Sequence, residues 1–380
     1  MTEQNEKLNL CFFINGFGEG GAERQCAYLI NELKKDENII ISLIYFFEGE
    51  NFKLVNQTNI NLYKIPSDSQ YSFKNISLIN SIVGQIAPDI IFSWMRSPDV
   101  FSSFVKFRFP HIKWILAERN SRYRHWWNFR FLLRVSVGRF ADAIICNSTG
   151  GEIYWKKRLI PSKKIIVIPN ILYTQKFNHQ NGIPVITGDP VILFAGRLWY
   201  QKNVFVLTAA FCKLADKYKN GKFYIIGEGQ LKEEVKKIIT KYGKEQQVIL
   251  MPYQSEIFKF FSAADVFVNI SLYEGLPNTI IENTILNKKM VVSALPAHLH
   301  VLGPDFPYYV KNINDVDLVC RTIEAALGDN NFTSHLQHAK KFIEGLQPDT
   351  ITNQYKKVFY YVKENRKTDF TRLKEEVQTV

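Results

Sequence analysis

Short apolar runs rich in Ile, Val and Phe alternate along this chain with longer stretches whose apolar positions recur at helical spacing. That alternation predicts parallel strands covered by helices on both faces. The first series of predicted strands is Leu8–Ile14, Ile39–Phe46, Asp89–Phe92, Trp114–Ala117, Ala143–Cys146 and Ile165–Ile168. A second runs through Val191–Phe194, Lys222–Ile226, Val248–Met251, Val266–Ile270 and Met290–Ser293. The predicted fold class is α/β, two Rossmann-like doubly wound domains facing a central cleft. Between the series, 170–190 loses periodicity and carries the turn-rich NHQNGIP and TGDP, so the domains are predicted at 1–178 and 179–349. From 350 to 380, Tyr355, Val358, Phe359 and Val362 predict a helix that packs back toward the first domain, and the charged ENRKTDFTRLKEE predicts an exposed tail.

The length of 380 residues agrees with two cores rather than one. A content of 46% hydrophobic and 22% charged residues, without repeats, is that of a folded globular chain. The run Leu8–Ile14 is interrupted by Asn9 and too short for a secretory signal, and no window of about 18 apolar residues predicts a spanning helix. Cys11, Cys26, Cys146, Cys212 and Cys320 are scattered and lack C-x-x-C spacing, which argues for a reducing cytoplasm and against a disulfide framework or zinc cluster. Lys and Arg outnumber Asp and Glu by 48 to 36, giving +12, so the expected partner is anionic: a phosphate-bearing ligand, an acidic membrane face or nucleic acid.

Candidate chemistry concentrates in the second half. Tyr273-Glu274-Gly275-Leu276-Pro277-Asn278-Thr279-Ile280-Ile281-Glu282 follows a predicted strand and enters a predicted helix at Pro277. Free N–H groups at a helix start suit a phosphate or a sugar hydroxyl, and two carboxylates eight positions apart suit hydroxyls at two ends of one ligand. The spacing by itself also arises by chance. Upstream, Gly196-Arg197-Leu198-Trp199-Tyr200-Gln201-Lys202-Asn203 supplies two cations suited to a departing diphosphate, or else forms a solvated basic loop. Gly227-Glu228-Gly229 lies between a predicted strand and a predicted helix, and Tyr253-Gln254 follow the next strand.

Taken together, GRLWYQKN, GEG and YEGLPNTIIEN resemble, in order and interval, the signatures of glycosyltransferase family 4, retaining enzymes of GT-B fold with an E-x7-E motif. The resemblance implies a nucleoside-diphosphate sugar as donor, UDP-sugar ahead of GDP-sugar, no metal and no other cofactor. It implies catalytic roles for Glu274 on the sugar hydroxyls and for Arg197 and Lys202 on the diphosphate, with Glu282 on the ribose. Gly196, Asn203, Gly227, Gly229, Tyr253, Gly275, Leu276, Pro277 and Asn278 complete the implied donor site. The implied acceptor is a lipid-linked or polysaccharide glycan, as in bacterial members that build lipopolysaccharide, capsule or lipid-linked glycans. The rival readings are a non-catalytic sugar-nucleotide or glycan-binding protein of the same fold and a sugar-nucleotide epimerase.

In the first half, Gly16-Phe17-Gly18-Glu19-Gly20-Gly21-Ala22-Glu23-Arg24 raises a dinucleotide fingerprint, but Tyr45-Phe46-Phe47 stand where that reading needs an acid. GGAER resembles instead the family loop facing the donor phosphates (Gly16, Gly18, Gly20, Gly21) and the acceptor (Glu23, Arg24). Two departures stand out: Phe92 and Trp94 occupy the stretch where many members carry a His, and Ala294 replaces the usual Asp after a later strand. Arg96 and Asp99 are nearby polar candidates. Glu118 and Arg119, in an AERN segment that resembles S-E-R-N, are acceptor-side candidates or a strand-end salt bridge.

From Phe101 to Phe140 nine basic residues (Lys106, Arg108, Lys113, Arg119, Arg122, Arg124, Arg130, Arg134, Arg139) face one acid, Glu118, with aromatics interleaved. This composition predicts peripheral docking on the anionic inner face of the cell membrane, with part of the aromatics in the core. Nucleic acid is disfavoured because no RNP, KH or OB pattern occurs.

Overall fold

The computed structural model describes residues 7–67, 69–70, 72–119, 129–173, 186–254, 256–365 and 367–377, apart from the side chains at 130, 376 and 377. The chain divides into two compact units, residues 1–172 with 345–380, and residues 173–344. The expected 178/179 boundary falls within 174–185, outside the described residues. The first unit closes earlier because Ile171 exchanges hydrogen bonds with the Gln25 side chain and the Leu172 N–H donates to the Leu346 carbonyl.

The first unit holds a seven-stranded parallel sheet: β1 (Leu8–Ile14), β2 (Ile39–Tyr45), β3 (Ile60–Lys64), β4 (Ile90–Trp94), β5 (Lys113–Glu118), β6 (Ala143–Cys146) and β7 (Ile165–Val167), in the order β3-β2-β1-β4-β5-β6-β7. Central strands are buried on both faces apart from Asn9 in β1, as their largely apolar runs demand. The edge strand β3 has no fully buried residue, and its INLYK sequence gave no such run to find. Helix Gly21–Leu33 buries Cys26, Leu29, Ile30 and Leu33, spaced three and four apart, with Glu23 in its first turn.

Helix Pro348–Glu364 begins with Pro in its first turn and belongs to this unit. Phe359 and Tyr355 pack on Phe92 of β4, with ring centroids 5.3 and 6.0 Å away. Among the described residues that follow, 367–375 do not form a free exposed tail. Phe370 and Leu373 are buried, the Phe370 N–H donates to the Lys163 carbonyl, and Lys374 pairs with Glu152. Two apolar residues inside a charged segment are enough to dock it.

The second unit repeats the plan with six parallel strands: β8 (Val191–Ala195), β9 (Lys222–Ile226), β10 (Val248–Met251), β11 (Val266–Asn269), β12 (Lys289–Ser293) and β13 (Tyr309–Val310). Their order is β10-β9-β8-β11-β12-β13. Helices Val204–Lys217 and Val316–Gly328 bury Leu207, Phe211, Val319 and Ile323 in one cluster with Ile192, Phe194, Phe223 and Val268 of the sheet.

Candidate functional site

In an open parallel sheet, ligands bind beyond the carboxyl ends of the strands where the strand order reverses. In the second unit that point lies between β8 and β11, and the loops leaving those two strands are GRLWYQKN and SLYEGLPN. They are stitched together: the Leu272 N–H donates to the Gln201 carbonyl (2.8 Å), and Gln201 Nε2 donates to the Tyr273 carbonyl (2.8 Å) and toward Glu274 Oε2 (3.4 Å).

Lys202 Nζ donates to Glu274 Oε1 at 2.5 Å, with side chains only 16% and 9% exposed. Ser271 Oγ lies 2.6 Å from both Glu274 Oε1 and Asn269 Oδ1, and its single proton serves one of them at a time. Burial alone would raise the Glu274 pKa; the charges of Lys202 and His298 and the hydrogen bonds from Lys202 and Ser271 outweigh it, so the carboxyl titrates below its usual value. Glu274 is therefore a held carboxylate, a fixed acceptor for hydroxyl protons.

The other predicted donor residues sort by position. Arg197 is exposed, its guanidinium 5.7 Å from the centroid of the exposed Trp199 ring. Asn203 adopts a left-handed conformation and spends its amide on the Ile313 carbonyl, so its place is structural. Pro277 caps helix Asn278–Ile285, in which Glu282 is buried; Gly275 and Asn278 are half-buried, Leu276 is buried, and Tyr253 is half-buried beyond β10.

Gly227 and Gly229 have φ of +147° and +157°, and a Cβ there would sit 2.0 Å from the Gly196 carbonyl oxygen and 2.5 Å from that of Leu198. The two glycine motifs are thus one packed feature, joined by N–H bonds from Gly196 to Ile226 O and from Leu198 to Glu228 O. Gly196 itself touches Lys202: its missing Cβ would lie 3.4 Å from Lys202 Cε.

In the first unit the Gly16–Gly20 loop is held by Asn51, whose amide donates to the Gly18 and Gly20 carbonyls. Gly16 meets the Phe47 carbonyl, Gly20 is covered by the Glu23 carboxylate, Gly21 opens the helix and Arg24 is half-buried on it. Arg96 lies over the Phe131 ring at 4.6 Å, and Arg119 lies over Trp94 at 3.9 Å while donating to Tyr355 OH. Phe92 and Trp94 are both core residues.

Two candidates of this unit are corrected by their surroundings. Glu118 and Asp99, each 0% exposed, flank the buried Arg134, which donates from Nε to Asp99 (2.5 Å) and from NH1 to Glu118 (2.7 Å). Ser93 donates to Asp99 and Trp155 Nε1 to Glu118. Glu118 is thus held in a buried ion pair with Arg134 and not in a strand-end pair with Arg119, and Arg134 leaves the basic surface for the core. Burial pushes the Asp99 pKa up to about 7 against the pull of Arg134. Of the remaining basic stretch, Arg108 and Arg139 are exposed beside the exposed rings of Phe107 and Phe140, Lys106 pairs with Asp142, and Lys113 donates to the Asn365 carbonyl. Arg122 and Arg124 and the Arg130 side chain lie outside the described residues.

Sequence reading missed His298 on helix Pro296–Leu302. Its ring is fully buried, Nδ1 lies 2.8 Å from the Ser293 carbonyl, and the charges of Glu274 and Lys202 both act on it. Ser293 Oγ in turn donates to the Ser271 carbonyl (2.7 Å), linking β12 to the Glu274 loop. The available signal was the segment that departs from the family pattern at Ala294.

Fold and loop pairing define the class, two Rossmann-like domains of the GT-B type. The chain belongs to the glycosyltransferases: residues 19–176 match Glycosyltransferase Family 4 and residues 175–344 match Glycosyl transferases group 1. It is 25% identical over 372 residues to the GalNAc-alpha-(1->4)-GalNAc-alpha-(1->3)-diNAcBac-PP-undecaprenol alpha-1,4-N-acetyl-D-galactosaminyltransferase of Campylobacter jejuni, covering 94% of this chain and 99% of that enzyme. Identity is 27% over 197 residues to the Escherichia coli UDP-Gal:alpha-D-GlcNAc-diphosphoundecaprenol alpha-1,3-galactosyltransferase, covering 49% of this chain and 51%, about half, of that relative. Among solved structures, Anabaena HepE in complex with UDP and glucose superposes with a TM-score of 0.79 at 15% identity, covering 93% and 99% of the two chains, a likeness of fold.

Proposed function

We propose that the protein transfers a hexosyl group, with retention, from a nucleoside-diphosphate sugar to a lipid-linked or polysaccharide acceptor in cell-surface glycan synthesis. UDP-sugars are favoured over GDP-sugars. The observation that carries the proposal is the Lys202–Glu274 pair seated at the β8/β11 reversal, with the exposed Arg197 on the same loop. Glu274 accepts hydrogen bonds from the sugar hydroxyls, and Glu282 is assigned to the ribose. Arg197 and Lys202 stabilise the charge that grows on the diphosphate, so no metal is required in this scheme. The bond from the anomeric carbon to the diphosphate oxygen breaks, the acceptor oxygen bonds to that carbon on the same face, and its proton passes to the departing diphosphate.

Two relatives named for diphospho-undecaprenol substrates and a fold neighbour holding UDP support the reading. The proposal includes peripheral docking on an anionic membrane face through the basic and aromatic stretch that contains Arg108, Arg139, Phe107 and Phe140. No helix among the described residues is long and apolar enough to cross a membrane. The test is a panel of UDP- and GDP-sugars with undecaprenyl-diphosphate-linked acceptors. Transfer that disappears in Glu274→Ala is expected. Absence of both transfer and donor hydrolysis across the panel, with Glu274→Ala altering binding alone, refutes enzymatic activity, and interconversion of free donors without acceptor identifies an epimerase.

A further inference from the structure

The buried His298 has one half of its ring explained and the other half not. Its Nδ1 lies against the Ser293 carbonyl, which only accepts, so Nδ1 carries the proton and donates. Burial pushes the pKa down to about 4, which leaves the ring neutral in neutral solution. Nε2 is then a bare lone pair, fully buried and, among the described residues, without a hydrogen-bond partner. An acceptor left so is costly to bury, and such a group calls for an external donor. The ring sits within the fields of Glu274 and Lys202 and is tied to the Glu274 loop through Ser293 and Ser271.

The chemistry of the lone pair narrows its partner. A diphosphate has no proton to give at neutral pH, whereas sugar hydroxyls and acetamido N–H groups do. Glu274 and His298 Nε2 are both acceptors, a pairing that matches a polyhydroxylated ring and repels a further anion. We propose that His298 sets specificity for the transferred sugar, its Nε2 accepting a hydrogen bond from a hydroxyl or acetamido N–H of the hexosyl group that Glu274 holds. This rests on the donor-site reading above.

The two ring nitrogens can be tested apart. In His298→Asn the amide N–H stands where Nδ1 stood and still reaches the Ser293 carbonyl, while the Nε2 acceptor is gone. Calorimetric titration of the full chain with UDP, UDP-glucose and UDP-N-acetylgalactosamine reads the outcome. In the variant, UDP affinity is expected within about two-fold of the parent, while the best-bound UDP-sugar weakens about ten-fold, the loss of one net hydrogen bond. A deoxy analogue lacking the contacted hydroxyl binds parent and variant alike. An unchanged ratio of UDP-sugar to UDP affinity in His298→Asn overturns the assignment, as does an equal loss for UDP itself, which would place the contact on the nucleotide. If the parent binds none of the three probes, the UDP-donor reading fails, and the His298 assignment falls with it.

Discussion

Replacing Arg134 by methionine removes the cation that pairs with two fully buried carboxylates, Asp99 and Glu118, while keeping most of the side-chain volume. Breaking a buried pair from one side typically costs about 3–5 kcal/mol, because the partner charge is left uncompensated. For a unit of this size that lowers the melting midpoint by roughly 10 °C, taking about 2–4 °C per kcal/mol. The loss carries a pH signature whose sign follows from Asp99. Its folded pKa of about 7 lies above the ordinary aspartate value of 3.8, so the associated stability is fully present below about pH 4 and fades as pH rises through 7. Without Arg134 the folded pKa rises further, so the gap between parent and variant should be widest near pH 7.5 and narrow toward pH 5. Differential scanning calorimetry across that range, resolving the transition of each unit, measures both effects. Asp99→Asn, which leaves a one-to-one Arg134–Glu118 pair, serves as the milder variant and should lose the pH dependence. A midpoint for Arg134→Met within about 2 °C of the parent at pH 7.5, or a gap that does not change with pH, refutes the buried-charge account.

Other outcomes follow from single contacts. In the parent the Glu274 pKa is lowered, so its pair with Lys202 stabilises above about pH 4.5 and that contribution is lost as pH falls through the lower folded value. Lys202→Met should therefore cost about 2 kcal/mol at pH 7 and progressively less below pH 4, read by melting across pH. Gly227→Ala, with a Cβ 2.0 Å from the Gly196 oxygen, should destabilise the second unit by about 2 kcal/mol or more, seen as a lower melting midpoint for that transition alone. Phe370→Ala deletes a ring with 0% exposure and should release the last residues at a cost of about 3 kcal/mol, detected as faster tryptic cleavage at Lys363 and Lys367.

Much of this architecture is written in local apolar runs. Leu8–Ile14, Ala143–Cys146, Lys222–Ile226 and Val248–Met251 are strands to the residue, because each is a short, largely apolar run of the kind a covered parallel sheet needs. Ile60–Lys64 escapes that logic as a half-exposed edge, and Tyr309–Val310 is too short to carry a pattern. Within the site, Lys202 and Glu274 are legible as residue types. Their meeting is a property of strand order, which no single loop encodes.

Arg134 shows why charge counting misleads. It sits among apolar residues in FLLRVSV, and only its partners, sixteen residues upstream in Glu118 and thirty-five upstream in Asp99, turn it into a core residue. His298 was hidden for the converse reason. A histidine flanked by leucine and alanine reads as helix surface until the ring is found fully buried, with one nitrogen occupied and the other bare.

The return of helix Pro348–Glu364 to the first unit sets an order of events during synthesis. Phe92 emerges from the ribosome 267 residues before Phe359, the ring that covers it, and every residue of the second unit is made in the interval. The second unit can complete its core as soon as it has cleared the exit tunnel, while the first must hold an open apolar face until the helix that carries Phe359 has followed. A nascent chain arrested after Glu344 would carry a finished second unit beside a first unit still in need of a chaperone.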